Sequence, residues 1–431
     1  MTAGGVLEQL ADACGNVREA DSADQIAGTQ ACYVAAPVST DEASALLRAA
    51  AGLGLTVAAR GSGRRQHWGN PPSGCDLIVE TLHLNKVIEH VAGDQVLRVQ
   101  AGVLLDDLTK VVASAGQRLS LNPAGGGSVG GVVATNAAGP LRYRYGAPRD
   151  LLIGITVVRA DGTVARSGGK VVKNVAGYDT GKLFAGSYGT LGLITEATFR
   201  LHPLPERSTW LTLDTADPET AAATVRTMAD SPLAPMAIEL CWPGADQPLT
   251  VSVLLEGDES SVAVRTDRMR VLLDRELAGV EPTVGPFRSA RPPAGGRELA
   301  SDGRTAIRVA FWVGQLMNVL KAIRTAAVAN ELDPAIEGSA GAGVLNVEIR
   351  AAQAADAVAR FVTELRAGLA GLGAGSVVPS TANAIVLYAP QEVRDAVDVW
   401  GPVPSLRLMQ AVKDQFDPQR RMAPGRFPGG I

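Results

Sequence analysis

The sequence predicts an α+β chain built as two successive units, and three observations predict it. Segments of strand and helix period alternate from about residue 37. Three glycine-rich stretches punctuate the first unit, which Pro203 and Pro205 close. A second unit then runs to about residue 400 with its own alternation of strands and helices. Helices and strands mixed in this way suit an antiparallel sheet with helices packed on one face.

The elements follow in order. After an N-terminal segment, 1–36, "STDEASALLRAAAGLG" has a Ser/Thr cap, acids in its first turn and a glycine stop, so it reads as a helix. "LTVAAR", "LIVET" and "VLRVQAG" read as short strands, and "LLDDLTKVVASAG" as an amphipathic helix. "LLIGITVVRADGTVARSGG" reads as two strands joined at Asp161-Gly162. "LGLITEATFRLHP" places Leu193, Thr195, Ala197, Phe199 and Leu201 on one face of a strand. Domain boundaries are expected at 37–206 for the first unit and 207–400 for the second.

In the second unit "TWLTLDT", "LTVSVLLEG", "TAIRVAFWV" and "GVLNVEIRA" read as strands. "DPETAAATVRTMADS", "QLMNVLKAIRTAAVANE" and "QAADAVARFVTELRAGLAGLG" read as helices, and "RSARPPAGGRELASDGR" as a Pro/Gly-rich loop. Residues 401–431, including "SLRLMQAVKDQFDPQRRMAPGRFPGGI", are expected as a helix and tail returning to the first unit.

Composition narrows the function. The chain has 431 residues, 46% hydrophobic content, a net charge of −4 and a pI near 5.7, which gives no electrostatic case for nucleic acid. The start, "MTAGGVLEQLADACG", lacks a basic and an apolar signal region, and no run of 18 apolar residues occurs. The expectation is a cytoplasmic protein without a membrane span of its own, touching membranes through partners alone. Cys14, Cys32, Cys75 and Cys241 show no CxxC spacing, so no metal site is expected. Residues 203–431 contain no histidine, which excludes a histidine base from the second unit.

The chemistry concentrates in glycine. "PAGGGSVGGVVATNAAGP", Pro123 to Pro140, is either a flexible linker or a cradle whose bare N–H groups face an anion. Linkers are polar and repetitive, whereas Val129, Val132, Val133 and Ala134 follow these glycines at once. "RGSGRRQHWG" after a strand and "GSYGTLGLIT" before another make three such places in one unit. No GxGxxG opens a βαβ unit with a following acid, so a Rossmann reading fails.

Together these stretches resemble the FAD-binding domain of the vanillyl-alcohol-oxidase, or PCMH-type, superfamily. "SGGKVVKNVAGYDTGKLFAGSYGTLGLITEATFRLHPLP", with "FDPQRRMAPGRF" at the far end, is similar to the smaller FAD-binding subunit of bacterial glycolate oxidase. The resemblance implies a two-subdomain PCMH-type FAD-binding domain followed by an α+β cap domain with an antiparallel sheet. It implies that Arg60, Gly61, Ser62, Gly63 and Arg64 form the first pyrophosphate loop. Ser128, Val129, Gly130 and Gly131 close on the same phosphates, with Ala134 and Asn136 beneath the ribityl and flavin. Gly189, Gly192 and Ile194 lie against the adenosine. Relatives with covalent flavin usually carry histidine in the first loop. Here that position is arginine, so non-covalent FAD is expected.

Relatives that oxidise 2-hydroxy acids carry a "GxGNLH"-like strand in the second domain. In "GAGVLNVEIR" the histidine position holds Asn346, an amide that cannot act as a base. Glu348 and Arg350, on the same expected strand face, are candidates for base and carboxylate clamp, against the alternative of a lightly paired strand face. Tyr145, with Arg142, Arg144 and Arg149, is a candidate for an anion-binding edge, against the alternative of surface charge. Tyr178 and Asp179 read as helix start and cap. Two functions follow: an FAD subunit oxidising glycolate or a similar small 2-hydroxy acid, or an accessory flavoprotein whose catalysis lies in a partner. The implied partners are a larger FAD subunit and an iron–sulfur subunit.

Overall fold

The computed structural model describes residues 3–169, 178–276, 282–285, 303–372 and 382–431. The 170–177 stretch that contributes to the resemblance lies outside them, as does 288–302 of the Pro/Gly-rich loop.

The first helix of the first unit, Thr40–Gly52, starts where the sequence says. The Ser39 hydroxyl accepts the Glu42 N–H at 3.1 Å, and Asp41 and Glu42 occupy the first turn. Its apolar face, Ala43, Leu46, Leu47 and Ala50, is fully buried between two sheets. One sheet has four strands in the order Val17–Glu19, Tyr33–Ala35, Leu77–Glu80, Val57–Arg60, and its last two pairings are parallel. The segment before residue 37 thus supplies two strands of this sheet. The other sheet has five antiparallel strands in the order Val164–Gly168, Leu152–Val158, Leu193–Arg200, Val96–Gln100, Val87–Val91.

The second unit is one eight-stranded antiparallel sheet. Its order is Thr283–Val284, Arg207–Thr215, Leu249–Gly257, Ala237–Trp242, Ala335–Ser339, Val344–Ile349, Thr305–Ala310, Asn383–Tyr388. Helices Pro218–Asp230, Glu259–Glu276, Leu316–Ala329 and Ala355–Gly371 cover one face, where Leu240, Val251, Ile307, Leu345 and Val347 are buried among them. The opposite face carries Glu239, Ser252, Glu256, Arg308, Asn346 and Glu348 and is turned to the first unit. There Leu141 packs on Ala237 and Leu254, Trp68 packs on Ala306 and Leu387, and Arg118 pairs with Glu256.

Four of these strands, Ala237–Trp242, Thr283–Val284, Ala335–Ser339 and Asn383–Tyr388, were not expected from the sequence. Every residue of Ala237–Trp242 is buried, because helices cover one side and the first unit the other. That removes the period of two by which a half-exposed strand is recognised.

The tail pairs with the four-stranded sheet. After the helix Leu406–Phe416 the chain runs along the edge of the four-stranded sheet. The Val57 N–H donates to Arg421 O at 2.8 Å, and the Ala423 N–H donates back to Val57 O at 2.7 Å.

Candidate functional site

A cleft enclosing about 810 Å³ of empty space, open solvent included, lies where the strand Val57–Arg60 ends. Each glycine-rich stretch contributes a wall. The strand delivers Gly61 to Gln66, the second stretch Ser128, Gly130, Gly131 and Ala134, and the third Tyr188, Gly189, Gly192 and Ile194. All the expected cofactor residues line it except Val129 and Asn136.

The first two loops are stitched together. The Ser62 N–H donates to Ser128 Oγ at 3.3 Å and the Ser128 N–H to Ser62 Oγ at 3.2 Å. Arg65 spans both loops, donating to Gly126 O at 2.8 Å and Ala124 O at 2.9 Å. It is therefore a structural brace between the two loops. A Cβ on Gly61 would sit 2.1 Å from Ser128 Oγ, so only glycine lets the loops approach. Gly63 has φ +75°, the left-handed region that side chains resist. The N–H groups of Gly61, Gly63, Arg64 and Gly131 meet no acceptor among the described residues. Such a wall suits an anion held by backbone dipoles, and the residues present fit a dinucleotide diphosphate.

Two residues leave the site. The Val129 N–H donates to Val103 O at 2.9 Å and its side chain enters the core. Asn136, at φ 48°, ends the helix Val129–Thr135, and its Oδ1 accepts the Arg149 N–H at 3.1 Å. Gly130 lines the cleft, but its N–H donates to Ala101 O, and a Cβ there would lie 2.8 Å from the Ala101 methyl. It is glycine for close packing against the neighbouring strand.

Arg60 contributes backbone, because its guanidinium is turned into a buried network with Asp24 at 2.6 Å and Glu80 at 2.7 Å. Hydrogen bonds from Arg18 and then Arg60 hold the Asp24 carboxyl far below the ordinary carboxylate range. A depressed carboxylate contributes stability above its unfolded pKa, near 3.8, and loses it as pH falls toward the folded value. Asp24→Asn should therefore cost about 1–3 kcal/mol at pH 7, with the gap to the wild type closing below about pH 4. Urea unfolding at the two pH values measures it, and a gap that widens on acidification contradicts the network.

The substrate-side candidates are not brought to the cleft. Glu348 Oε1 accepts Arg304 Nη1 at 2.9 Å. Arg350 lies one residue past the strand Val344–Ile349 and is exposed, so it shares no strand face with Asn346. The Tyr145 hydroxyl accepts Arg118 Nη2 at 3.1 Å, and its ring packs on His202 at 4.3 Å. Arg144 and Arg149 point outward, whereas Arg142 stands within electrostatic reach of Glu239. Tyr178 is exposed, and Asp179 precedes a short 3-10 turn without a side-chain cap.

Other residues were missed. Ala423 and Arg426 come from the tail. Tyr188 adopts φ 57° between Gly186 and Gly189, its ring set against Trp400 at 5.1 Å and Phe427 at 5.8 Å. Glu239 is buried on the polar sheet face, and desolvation pushes its pKa up to about 8, with Ser339 and Arg142 opposing. The one signal for it was a lone acid inside the apolar run "MAIELCW".

Two sheets clasping a helix, a cleft walled by three glycine loops and a helix-backed antiparallel sheet above it define a PCMH-type FAD-binding fold. Its first unit is an FAD-binding domain: residues 31–168 match the FAD binding domain family. The solved structure of p-cresol methylhydroxylase with substrate bound superposes with a TM-score of 0.74 at 16% identity, over 98% of this chain and 96% of that one. At that identity the likeness speaks for the fold alone. Glycolate oxidase subunit GlcD of Bacillus subtilis is 34% identical over 242 residues, 56% of this chain and 50% of that protein. Glycolate oxidase subunit GlcE of Escherichia coli is 33% identical over 232 residues, 53% of this chain and 61% of that protein. D-lactate dehydrogenase of Archaeoglobus fulgidus is 34% identical over 207 residues, 48% and 46% of the two chains. The aligned part thus spans about half the length of these relatives.

Proposed function

We propose that this chain is an FAD-dependent oxidoreductase acting on the CH–OH group of a small 2-hydroxy acid, as the smaller flavin subunit of a glycolate oxidase-like complex. The observation that carries the reading is the glycine-walled cleft beneath the polar face of the second unit's sheet. The similarity to two glycolate oxidase subunits and a D-lactate dehydrogenase supports the substrate class. In this reading the unengaged backbone N–H groups of Gly61, Gly63, Arg64 and Gly131 hold the diphosphate, with Ser62, Ser128 and Gly130 shaping the two loops. Ala134 lies under the flavin, and Gly189, Gly192 and Ile194 lie against the adenosine. FAD, bound non-covalently, supplies the acceptor for the hydride that leaves the α-carbon of the substrate. The units 37–206 and 207–400 serve as cofactor domain and cap, and residues 401–431 close the cofactor domain.

A second reading, an accessory flavoprotein whose catalysis resides in a larger FAD subunit, is favoured by one observation. Among the described residues lining the cleft there is no carboxylate and no histidine to take the hydroxyl proton. With Asn346 an amide and Glu348 engaged by Arg304, the missing base would come from that partner, and electrons would leave through an iron–sulfur subunit. No described helix is long and apolar enough to cross a membrane, and the complex is proposed to work in the cytoplasm, meeting membranes through partners.

Anaerobic addition of glycolate to the purified chain, alone and with co-purified partners, separates the readings. A positioned base is worth about 10²–10⁴-fold in rate. We expect bleaching of the visible flavin band to need the partner and to survive Glu348→Gln. Brisk bleaching by the lone chain, abolished by Glu348→Gln, makes Glu348 the base and sinks the accessory reading. Failure of the chain to bind FAD at all removes both.

A further inference from the structure

We propose that Arg426 is a ligand of the cofactor's diphosphate, carried into the cleft from the far end of the chain; this rests on the reading of the cleft as an FAD site. Arg426 lines the cleft together with the loop Gly61–Gln66 and is only 6% exposed. Its Nη2 donates to Gln66 O at 2.6 Å, across 360 residues of sequence. Its Nη1 is buried and meets no acceptor among the described residues.

Among the described residues the side chain also lacks a counter-charge. The ionisable groups that act on it are Tyr188 and Cys75, neither of them a carboxylate. A buried cation held in that way is costly unless an anion arrives. Desolvation lowers its pKa to about 10, which still leaves it protonated at neutral pH. Of the other arginines lining the cleft, Arg60 is turned into its network with Asp24 and Glu80, and Arg65 donates to two carbonyls and bridges the loops, so neither takes this role.

The placement of Arg426 is set by backbone. The Asn70 N–H donates to Arg426 O at 3.2 Å, and the Arg426 N–H donates to Ala423 O at 3.3 Å. The side chain thereby lines the same cleft as Gly61 and Gly63, whose N–H groups are unpaired among the described residues, before any ligand is present. A planar fork with a spare edge, in one cleft with bare backbone donors, is the chemistry that recognises a phosphate oxygen. The neighbouring Gln66 Oε1, likewise buried without a partner, offers an acceptor for a ribose hydroxyl or amino group.

The test compares the wild type with Arg426→Gln and Arg426→Lys, using FAD, ADP and riboflavin as probes. Glutamine keeps a donor for Gln66 O but carries no charge. FAD affinity should fall about 10- to 100-fold in Arg426→Gln, the range of a charge-assisted hydrogen bond, and ADP affinity in the same proportion. Riboflavin, which has no phosphate, should bind both proteins alike. Lysine should restore part of the loss, and wild-type FAD affinity should decline more steeply with salt than that of Arg426→Gln. Wild-type affinity for FAD and ADP in Arg426→Gln overturns the proposal. An equal loss of riboflavin also overturns it, since Arg426 would then only shape the cleft. A wild-type chain that binds none of the three overturns the cofactor reading itself.

Discussion

Replacing Lys413 by methionine lowers the stability of the fold by about 3–5 kcal/mol, the cost of leaving one member of a buried ion pair uncompensated. Lys413 and Asp417 are both 0% exposed and meet at 2.7 Å. All three ammonium donors are used, on Thr190 O, Asp417 Oδ2 and Met422 O. Asp417 in turn accepts the N–H groups of Arg421 at 3.1 Å and Met422 at 2.7 Å. The pair therefore ties the third glycine-rich stretch to the tail that delivers Ala423 and Arg426 to the cleft. Desolvation pulls the Lys413 pKa down while Asp417 raises it, as befits an ammonium whose partner is indispensable. In urea, Lys413→Met should shift the midpoint down with the slope unchanged. FAD content should fall with it, because the tail forms part of the wall. A wild-type midpoint contradicts the lock.

Gly61→Val reduces bound FAD to a small fraction of the wild-type content. A Cβ at that position already falls 2.1 Å from Ser128 Oγ and 3.2 Å from Ser128 Cβ, before the two further methyls of valine are placed. The loops must separate, which breaks the reciprocal Ser62–Ser128 hydrogen bonds and removes the cleft's two facing walls. Because bound cofactor stabilises the native state by mass action, the variant should also melt at the lower temperature of the apoprotein. Absorbance of the purified protein before and after FAD reconstitution reads the result. Full occupancy means that the cradle lies elsewhere. Gly130→Val should lose cofactor too, but through its clash with Ala101, so its defect should already appear in the apoprotein.

Most of the candidate cleft's lining was legible because its requirements are local. A strand followed by Gly61, Ser62 and Gly63, and a Gly189 at φ +79°, are backbone demands that only a few residue types meet. The same holds for the cap Ser39 on its helix and for the turn at Gly162, φ +81°. Sequence-local chemistry is written where it acts. Strands covered on both sides, such as Ala237–Trp242, were illegible because burial on two faces erases alternation.

The sequence by itself determined the glycine-walled FAD-binding unit, the helix-backed second sheet and the absence of a histidine base from the second half. The tertiary structure alone decided which side chains meet. It withdrew Val129 and Asn136 from the cleft, engaged Glu348 with Arg304, and gave Arg65 to the carbonyls of a distant loop. It also brought Arg426 beside Gln66 and locked the tail through Lys413. The reason is physical: a backbone dihedral depends on its own residue and neighbours, whereas a buried charge is settled by whichever group the fold places within about 3 Å.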